Sequence, residues 1–470
     1  MAEAVRQHAA RPWRSAHDYV AGSRGRRLGL LTLRVAAATY AVGGVATFLI
    51  TPLLGRFHGE FEDFNAYLGA ANAVGRHADV YGPFTHQVSN VALSGFDYPP
   101  IVAWLVQPLA GMPPTAAATL WLWLGVACTA VAALIAAYEL LPRTWPRVEL
   151  AVLATFALST STYNYWHGQM NPEVFLLLAL ALRGWMRGNQ VRCGLFIGIA
   201  ASIKLAPVVL VVVLLRRRWW RGSFAAVATI LGSVLAASVL LGTAPLREWI
   251  TRVLPVLMRQ DGWLYNESLN GAVNRLFGHG VLSVAPSSVA ISVLTILITV
   301  AVVAMLVVAV SPRERPPAQR GAEFGAGVLV SLLVGTITWY PHYVSATIAL
   351  FAVLGLIASE RGRRSAALLV ATGGFGASIA VMAPLLIALA ASWQGVIALS
   401  HSPWWWPSLQ LASLPALTAT ALLVALVSNL RRASLRLRIR PGGKEERSSR
   451  QQHRGSDRGG HDLPVGVVHL

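Results

Sequence analysis

The chain has 470 residues, of which 55% are hydrophobic and 13% charged, and its mean hydropathy is +0.55. This composition excludes an ordinary water-soluble domain and predicts a membrane protein that crosses the bilayer several times. The formal net charge of +19 is concentrated in the N-terminal segment, short loops and the tail. The positive-inside rule explains that distribution better than nucleic-acid binding does, so we expect no nucleic-acid partner.

The first element is an apolar run at 28–50 that follows an arginine-rich segment. The run is too long for the core of a signal peptide, and no cleavage site of small residues follows it. We therefore predict an uncleaved signal anchor preceded by a basic cytosolic segment, residues 1–27.

Ten apolar stretches can span the bilayer, and together they define a membrane domain at 28–430. Their approximate ranges are 28–50, 114–141, 148–163, 172–186, 222–243, 283–310, 325–340, 343–358, 365–390 and 408–430. The predicted fold is all-α, a polytopic transmembrane helical bundle with about 10–12 membrane segments at roughly 20 residues per span, with loop helices on the extracytoplasmic side. The two cysteines, Cys128 and Cys193, lie in or beside apolar stretches, where we do not expect a structural disulfide.

The stretch at 194–215 has basic residues on both flanks. A single crossing would leave one basic cluster outside, so we predict a helical hairpin that enters and returns, broken near Lys204 and Pro207. With this hairpin, every arginine-rich loop lies in the cytosol, as does a basic, disordered tail at 431–470. Nearly every unusual polar motif then falls on the opposite, extracytoplasmic side.

The motif RFHGEFEDFNAY at 56–67 places acidic side chains beside the membrane in a chain with only 20 Asp and Glu residues. We predict an interfacial helix in which Phe64, Tyr67 and Leu68 face the membrane. Asp63 is then a candidate general base, and Glu62 a candidate substrate contact. The alternative is that Asp63 only caps the helix.

Three further motifs supply candidate substrate contacts in the middle of the chain. Tyr98 precedes Pro99 and Pro100, where an aromatic wall or a rigid helix entry are both compatible with the pattern. Gln169 and Asn171, in HGQMNPE, either bind hydroxyls or cap a helix. Lys204, in SIKLAP, lies deep in an apolar stretch, so its ammonium either meets an anion such as a lipid phosphate or snorkels to a water-filled cavity.

Two later motifs complete the set of candidates. NESLNGAVNRL contributes Asn266, Ser268, Asn270 and Arg275, which suit phosphate at a helix start or, alternatively, a capped surface helix. In TITWYPHYVSA, His342 lies at a proline-broken junction between two spans. A single histidine is more often structural, but the broken helix favours a functional role.

The order of these motifs resembles glycosyltransferase family 87: an acid in the first outer loop, aromatic-Tyr-Pro-Pro, GQxN, KLxP, NxSLNG and an aromatic turn with His. The family comprises GT-C mannosyltransferases of actinobacteria that use polyprenyl-phosphate mannose. The resemblance implies that Asp63 deprotonates an acceptor hydroxyl and that His342 contacts donor phosphate or acceptor. It also implies inversion at the anomeric carbon, no cofactor or metal, and a glycolipid or lipoglycan acceptor such as a phosphatidylinositol mannoside or lipomannan. Glu62 and Glu173 are departures from the family pattern.

Two other functions compete with mannosyl transfer. A lipid or sugar transporter or flippase would need ionisable groups near the midplane, where only Lys204 and Glu139 come close. A GT-C transferase for another lipid-linked sugar, such as arabinose, would have the same motifs. The sequence contains no P-loop, no HExxH and no paired CxxC motif.

Overall fold

The computed structural model describes residues 11–53, 61–82, 95–259, 262, 266–277, 288–359, 366–390 and 413–439. Within these ranges the regular structure is helical, with one isolated β-bridge. The helices are α1 Arg11–Leu53, α2 Glu62–Gly75, α3 Pro100–Ala110, α4 Pro114–Leu140, α5 Arg147–Phe156, α6 Ser159–His167, α7 Asn171–Met186, α8 Gln190–Ile203, α9 Leu210–Arg216, α10 Trp220–Leu241, α11 Thr243–Glu248, α12 Leu254–Leu257, α13 Leu269–Phe277, α14 Val289–Ala309, α15 Pro317–Val334, α16 Ala346–Ser359, α17 Ala366–Ala390 and α18 Leu414–Ile439.

Six helical stretches in the described ranges are long and apolar enough to cross a membrane: Arg27–Phe48, Pro114–Leu140, Trp220–Leu241, Val289–Ala309, Tyr340–Ser359 and Leu414–Arg432. Shorter apolar helices accompany them at Pro100–Ala110, Gln190–Ile203, Ala206–Arg216 and Ala366–Ala380. The spans of α10 and α14 leave most of their apolar side chains exposed, as lipid-facing helices do. The prediction of an all-α, multi-span membrane protein is confirmed.

The predicted hairpin is present between α8 and α10. Lys204 interrupts the helix with an extended backbone, φ −132° and ψ 132°, and Pro207 lies in the following 3-10 turn. The starts of α8 and α10 lie side by side, because a Cβ added to Gly222 would be 2.8 Å from the Gln190 carbonyl oxygen. The chain therefore enters at α8, turns at Lys204 and returns through α9 to the level at which it entered.

Several boundaries differ from the predicted ones. The span predicted at 148–163 is broken into α5 and α6, since Leu158 is extended and Ser161 Oγ donates to the free Ala154 carbonyl at 2.8 Å. Helix α15 begins at Pro317, eight residues before the predicted span, and α18 continues to Ile439. The SPWWWP motif and the tail at 440–470 lie outside the described residues.

Helix ends rich in arginine gather at one end of the molecule, which we call the arginine-rich end: the ends of α7, α9 and α14 and the start of α15. Arg217 donates to the Ser311 carbonyl at 3.0 Å, and Arg315 Nε lies 3.2 Å from the buried Glu323 carboxylate. Trp185 donates to the Arg320 carbonyl at 2.9 Å. These contacts join four helices at the base of the hairpin, so that its tip at Lys204 projects toward the opposite end.

Candidate functional site

Lys204, at the tip of the hairpin, lies among polar side chains from two other parts of the chain. Its Nζ donates to Asn171 Oδ1 at 2.6 Å and to Gln169 Oε1 at 3.4 Å. It also lies 2.7 Å from His342 Nε2. Because an ammonium group has three donors and no acceptor, we assign the unprotonated ring nitrogen of His342 to Nε2. The structure thus brings together four residues that the sequence analysis selected separately.

Asp63 joins the same network through Gln169, whose Nε2 donates to Asp63 Oδ2 at 2.5 Å. Asp63 lies in the first turn of α2, whose N-cap residue is Phe61, and no side chain caps this helix. The alternative that Asp63 serves as a helix cap is therefore wrong. A continuous chain of contacts runs from Asp63 through Gln169 and Lys204 to His342.

Helix α2 is held by aromatic packing within the protein. Phe64 stacks on Trp121 of α4 with ring centroids 5.4 Å apart, and Tyr67 donates a 2.8 Å hydrogen bond to the Tyr98 hydroxyl. Phe64 and Tyr67 are each 1% exposed. The prediction that the apolar residues of α2, Phe64, Tyr67 and Leu68, face the membrane is wrong, because aromatic partners on α4 and before α3 cover this face.

Tyr98 forms one wall of the network. Its carbonyl accepts a 2.7 Å hydrogen bond from the Tyr81 hydroxyl, which fixes the turn before α3. Its ring centroid lies 5.2 Å from Lys204 Nζ, within the range of a cation–π contact. The tight Pro-Pro turn thus both begins a helix and aims an aromatic face at the ammonium.

Asp97 is a residue that the sequence analysis did not select, although it stands in the FDYPP motif. Trp249 donates a 3.1 Å hydrogen bond to its backbone carbonyl. The negative charge of its carboxylate interacts electrostatically with Asp63 and with Lys204. Because acidic residues are scarce in this chain, an aspartate in the FDYPP motif could have been recognised as a candidate from the sequence.

The environment of Asp63 brings the pKa of its carboxyl group close to neutral pH. Burial, followed by the negative charge of Asp97, raises the pKa of Asp63 to about 7, although Lys204 and the Gln169 hydrogen bond oppose the shift. Burial likewise raises the pKa of Asp97 to about 6. A carboxylate with such a pKa suits proton transfer at neutral pH.

Three carboxyl groups, those of Asp63, Asp97 and Glu173, act electrostatically on Lys204. None of them forms an ion pair with it in the part of the chain that the structure describes. Both carboxylate oxygens of Glu173 are buried and lack a hydrogen-bond partner among the described residues. An anion can therefore approach Lys204 without first breaking an ion pair.

The polar residues of NESLNG form a second cluster with a different role. Asn266 Oδ1 accepts hydrogen bonds from the Ser268 and Thr338 backbone amides at 3.2 and 3.1 Å. Asn270 Nδ2 donates to the Thr336 carbonyl at 2.8 Å. These bonds fasten the segment before α13 to the turn that carries His342.

Arg275 lies in the same second cluster, 1% exposed, and donates to the Asn266 carbonyl at 2.7 Å and to Ser413 Oγ at 3.0 Å. No contact described here brings Arg275, Asn266, Ser268 or Asn270 to Lys204, and Glu62 is exposed on α2. Among the residues described, no group of three or more His, Cys, Asp or Glu is arranged to hold a metal ion.

The architecture and the site define a multi-pass membrane protein with a buried polar network at one end of its helices. The sequence profile described as "Glycosyltransferase family 87" matches residues 96–336, just over half of the 470-residue chain. The chain therefore belongs to glycosyltransferase family 87.

Three curated relatives are similar to parts of the chain. One is "Polyprenol-phosphate-mannose-dependent alpha-(1-2)-phosphatidylinositol pentamannoside mannosyltransferase" of Mycolicibacterium smegmatis, 26% identical over 47% of this chain and 53% of that protein. The protein of the same description in Mycobacterium tuberculosis (strain CDC 1551 / Oshkosh) is 25% identical over 60% of this chain and 64% of its own length. A "phosphatidylinositol mannoside mannosyltransferase" of Mycobacterium tuberculosis (strain ATCC 25618 / H37Rv) is 31% identical over 30% of this chain and 37% of its own length. The matches thus span about a third to two thirds of these relatives.

One solved structure is also similar, that of ArnT from Cupriavidus metallidurans bound to undecaprenyl phosphate. It is 16% identical over 83% of this chain and 79% of that chain, with a TM-score of 0.37.

Proposed function

We propose that this protein is an inverting GT-C glycosyltransferase that moves a mannosyl residue from a polyprenyl-phosphate donor to a hydroxyl of a glycolipid or glycan. The reaction takes place at the extracytoplasmic face and serves the synthesis of cell-envelope mannosides. The observation that carries the proposal is the contact chain Asp63–Gln169–Lys204–His342, in which Gln169 links a carboxylate to a half-buried ammonium. Family membership supplies the class of reaction.

The arrangement accounts for each step of such a transfer. Asp63 takes the proton of the acceptor hydroxyl, whose oxygen attacks the anomeric carbon of mannose and forms the new glycosidic bond. The bond from that carbon to the phosphate oxygen breaks, and polyprenyl phosphate leaves with the electron pair. Lys204 stabilises the charge that develops on the departing phosphate.

His342 lies on the other side of Lys204 and is placed to contact the donor phosphate or the acceptor. Gln169 and Asn171 hold the ammonium by their side-chain oxygens, and Gln169 also orients the Asp63 carboxylate through its amide nitrogen. Tyr98 closes the network with its ring. Binding of a lipid-linked donor requires this polar network to be reached from the bilayer, where such a donor is dissolved.

The experiment supplies membranes containing the protein with radiolabelled polyprenyl-phosphate mannose and a mannoside acceptor. Asp63→Asn should lower transfer by about 10²–10⁴-fold, the usual contribution of a positioned base. Asn65→Ala, an exposed change on the same helix, should leave transfer intact.

Undiminished transfer by Asp63→Asn would overturn the assignment of the base. Transfer of arabinose but not of mannose from the corresponding donor would correct the sugar. If no sugar is transferred but labelled lipid crosses sealed vesicles, the protein is a flippase.

A further inference from the structure

Three arginines lie at the same end of the molecule as the candidate site, away from the arginine-rich end. Arg247, Arg252 and Arg259 belong to the stretch Thr243–Arg259, which follows α10 and which we call the arginine segment. It consists of α11, a π-helical turn at Trp249–Val253 and α12. The positive-inside rule, which accounts for the arginine-rich end, does not account for these three.

The arginine segment is fastened to the candidate site by its buried face. Trp249 is 8% exposed and Val253 is fully buried. The Trp249 indole donates to the Asp97 carbonyl at 3.1 Å, and the π-turn is closed by a hydrogen bond from the Leu254 amide to the Trp249 carbonyl. The segment is therefore anchored to the backbone of Asp97, whose carboxylate acts electrostatically on Asp63.

The opposite face of the arginine segment combines apolar and cationic side chains. Ile250 is 49% and Met258 63% exposed, and the side chain of Arg252 is 61% exposed. Apolar residues together with arginines on one helical face are typical of a segment that lies at the level of lipid headgroups. At that level the arginines meet phosphate groups.

Only one of the three arginines of the arginine segment has an ion pair among the residues that the structure describes. Arg252 forms an ion pair with Glu248 at 2.7 Å, whereas Arg247 and Arg259 have no ion pair among the described residues. Guanidinium groups bind phosphate oxygens in pairs of parallel hydrogen bonds. Within the described residues, the segment therefore presents two guanidinium groups without an ion pair, those of Arg247 and Arg259, and these suit the oxygens of a phosphodiester.

The position of the arginine segment indicates whether it binds the phosphate of the donor or that of the acceptor. The donor phosphate must lie at the anomeric carbon and so belongs near Lys204, inside the network. The two relatives that match 47% and 60% of this chain are described as acting on phosphatidylinositol pentamannoside, an acceptor that carries a phosphodiester of its own. We infer that Arg247, Arg252 and Arg259 bind the phosphodiester of a glycophospholipid acceptor, an inference that rests on the proposed function.

The test compares two acceptors in neutral-lipid nanodiscs: a mannosylated phosphatidylinositol and an alkyl mannoside without phosphate. The variant Arg247→Gln/Arg252→Gln/Arg259→Gln should raise KM for the phosphate-bearing acceptor about tenfold or more, because the lost hydrogen bonds are charge-assisted. KM for the alkyl mannoside and kcat should stay unchanged. The matched control Arg192→Gln/Arg218→Gln/Arg221→Gln, at the other end of α8 to α10, should change neither.

Equal loss of activity with both acceptors would overturn the inference, because the segment would then act only by holding Asp97. It is also overturned if the effect of the variant appears only when anionic phospholipid is added to the nanodisc, since the surface would then bind bulk lipid.

Equilibrium binding separates this inference from the proposed function. A fluorescent mannosylated phosphatidylinositol should bind the Asp63→Asn protein, and the three arginine changes added to that protein should weaken binding about tenfold. If wild type transfers no mannose but this difference in binding is found, the proposed function fails and the inference stands. If transfer occurs and binding is unaffected, the inference fails and the proposed function stands.

Discussion

Lys204 directs its three N–H bonds to protein acceptors and none to a carboxylate in ion-pair distance among the described residues. The Gln169 contact, at 3.4 Å, is the longest of the three and the first that a phosphate oxygen can replace. Replacing it leaves Gln169 Oε1 with the 3.2 Å hydrogen bond from Asn171 Nδ2, while Nε2 of the same side chain donates to Asp63. We therefore expect donor binding at Lys204 to change the position of the Gln169 side chain and, through it, that of the Asp63 carboxylate.

Removal of the ammonium should affect the donor more than the acceptor. Lys204→Met should lower transfer about 100-fold or more, because a developing phosphate charge loses its stabilising cation. Binding of polyprenyl phosphate to the purified protein should weaken in parallel. A variant with unchanged donor binding and an altered acceptor KM would contradict the role of Lys204.

The protonation of Asp63 predicts a defined pH profile. A base must be ionised, so transfer should rise about tenfold per pH unit below the pKa of about 7 and level off above it. The negative charge of Asp97 raises that pKa, so Asp97→Asn should lower it and move the rising limb to lower pH. Profiles of kcat/KM for the two proteins provide the measurement, and a limb that moves to higher pH would contradict the electrostatic account.

The hairpin α8–α9 is the element that positions Lys204 in the candidate site. Proline removes a backbone donor at Pro207, and Lys204 takes an extended conformation that ends α8. At its base, glycines allow α8 and α10 to approach closely: a Cβ on Gly194 would lie 1.9 Å from the Gly222 carbonyl oxygen. Helix packing at this point therefore sets the depth at which Lys204 is held.

A side chain added at the close contact between α8 and α10 should destabilise the protein. Gly194→Val should lower the melting temperature or prevent folding, because the added atoms meet backbone that cannot move aside. Gly232→Val, on α10, has nothing within 4 Å of the added Cβ and should fold normally. Equal stability of the two variants in detergent, measured by thermal unfolding, would show that the close packing is not required.

At the scale of the whole molecule, the arginine-rich end is separated from the candidate reactive groups. The arginine-rich end and the candidate site lie at opposite ends of the helices, joined by α7, α8 and α10. The positive-inside rule predicts that the arginine-rich end lies in the cytosol and that the candidate site lies at the outer face. Under the proposed function, Asp63 acts on a lipid-linked donor at that outer face, so the predicted orientation and the proposed chemistry depend on each other.

Cysteine labelling tests the orientation directly. An impermeant maleimide should react with Asn65→Cys from outside intact cells and with Arg187→Cys only after permeabilisation, since both positions are exposed. The native cysteines, Cys128 and Cys193, are free and buried, so they should label poorly. The opposite pattern would place the site in the cytosol and refute the proposed function.

The sequence by itself determined the class of fold, most of the spans, the hairpin break at Lys204 and the residues Asp63, Gln169, Asn171 and His342 as candidates. These features are local, because hydropathy, proline and charge act on the chain within a few residues. Only the tertiary structure decided which candidates meet: Gln169 lies 106 residues from Asp63, and His342 lies 138 from Lys204. It also showed that Asn266 and Asn270 belong to the second cluster, that the apolar face of α2 is buried, and that Asp97 lies near Asp63. Such partners are distant in sequence, so packing of the helices decides which of them meet.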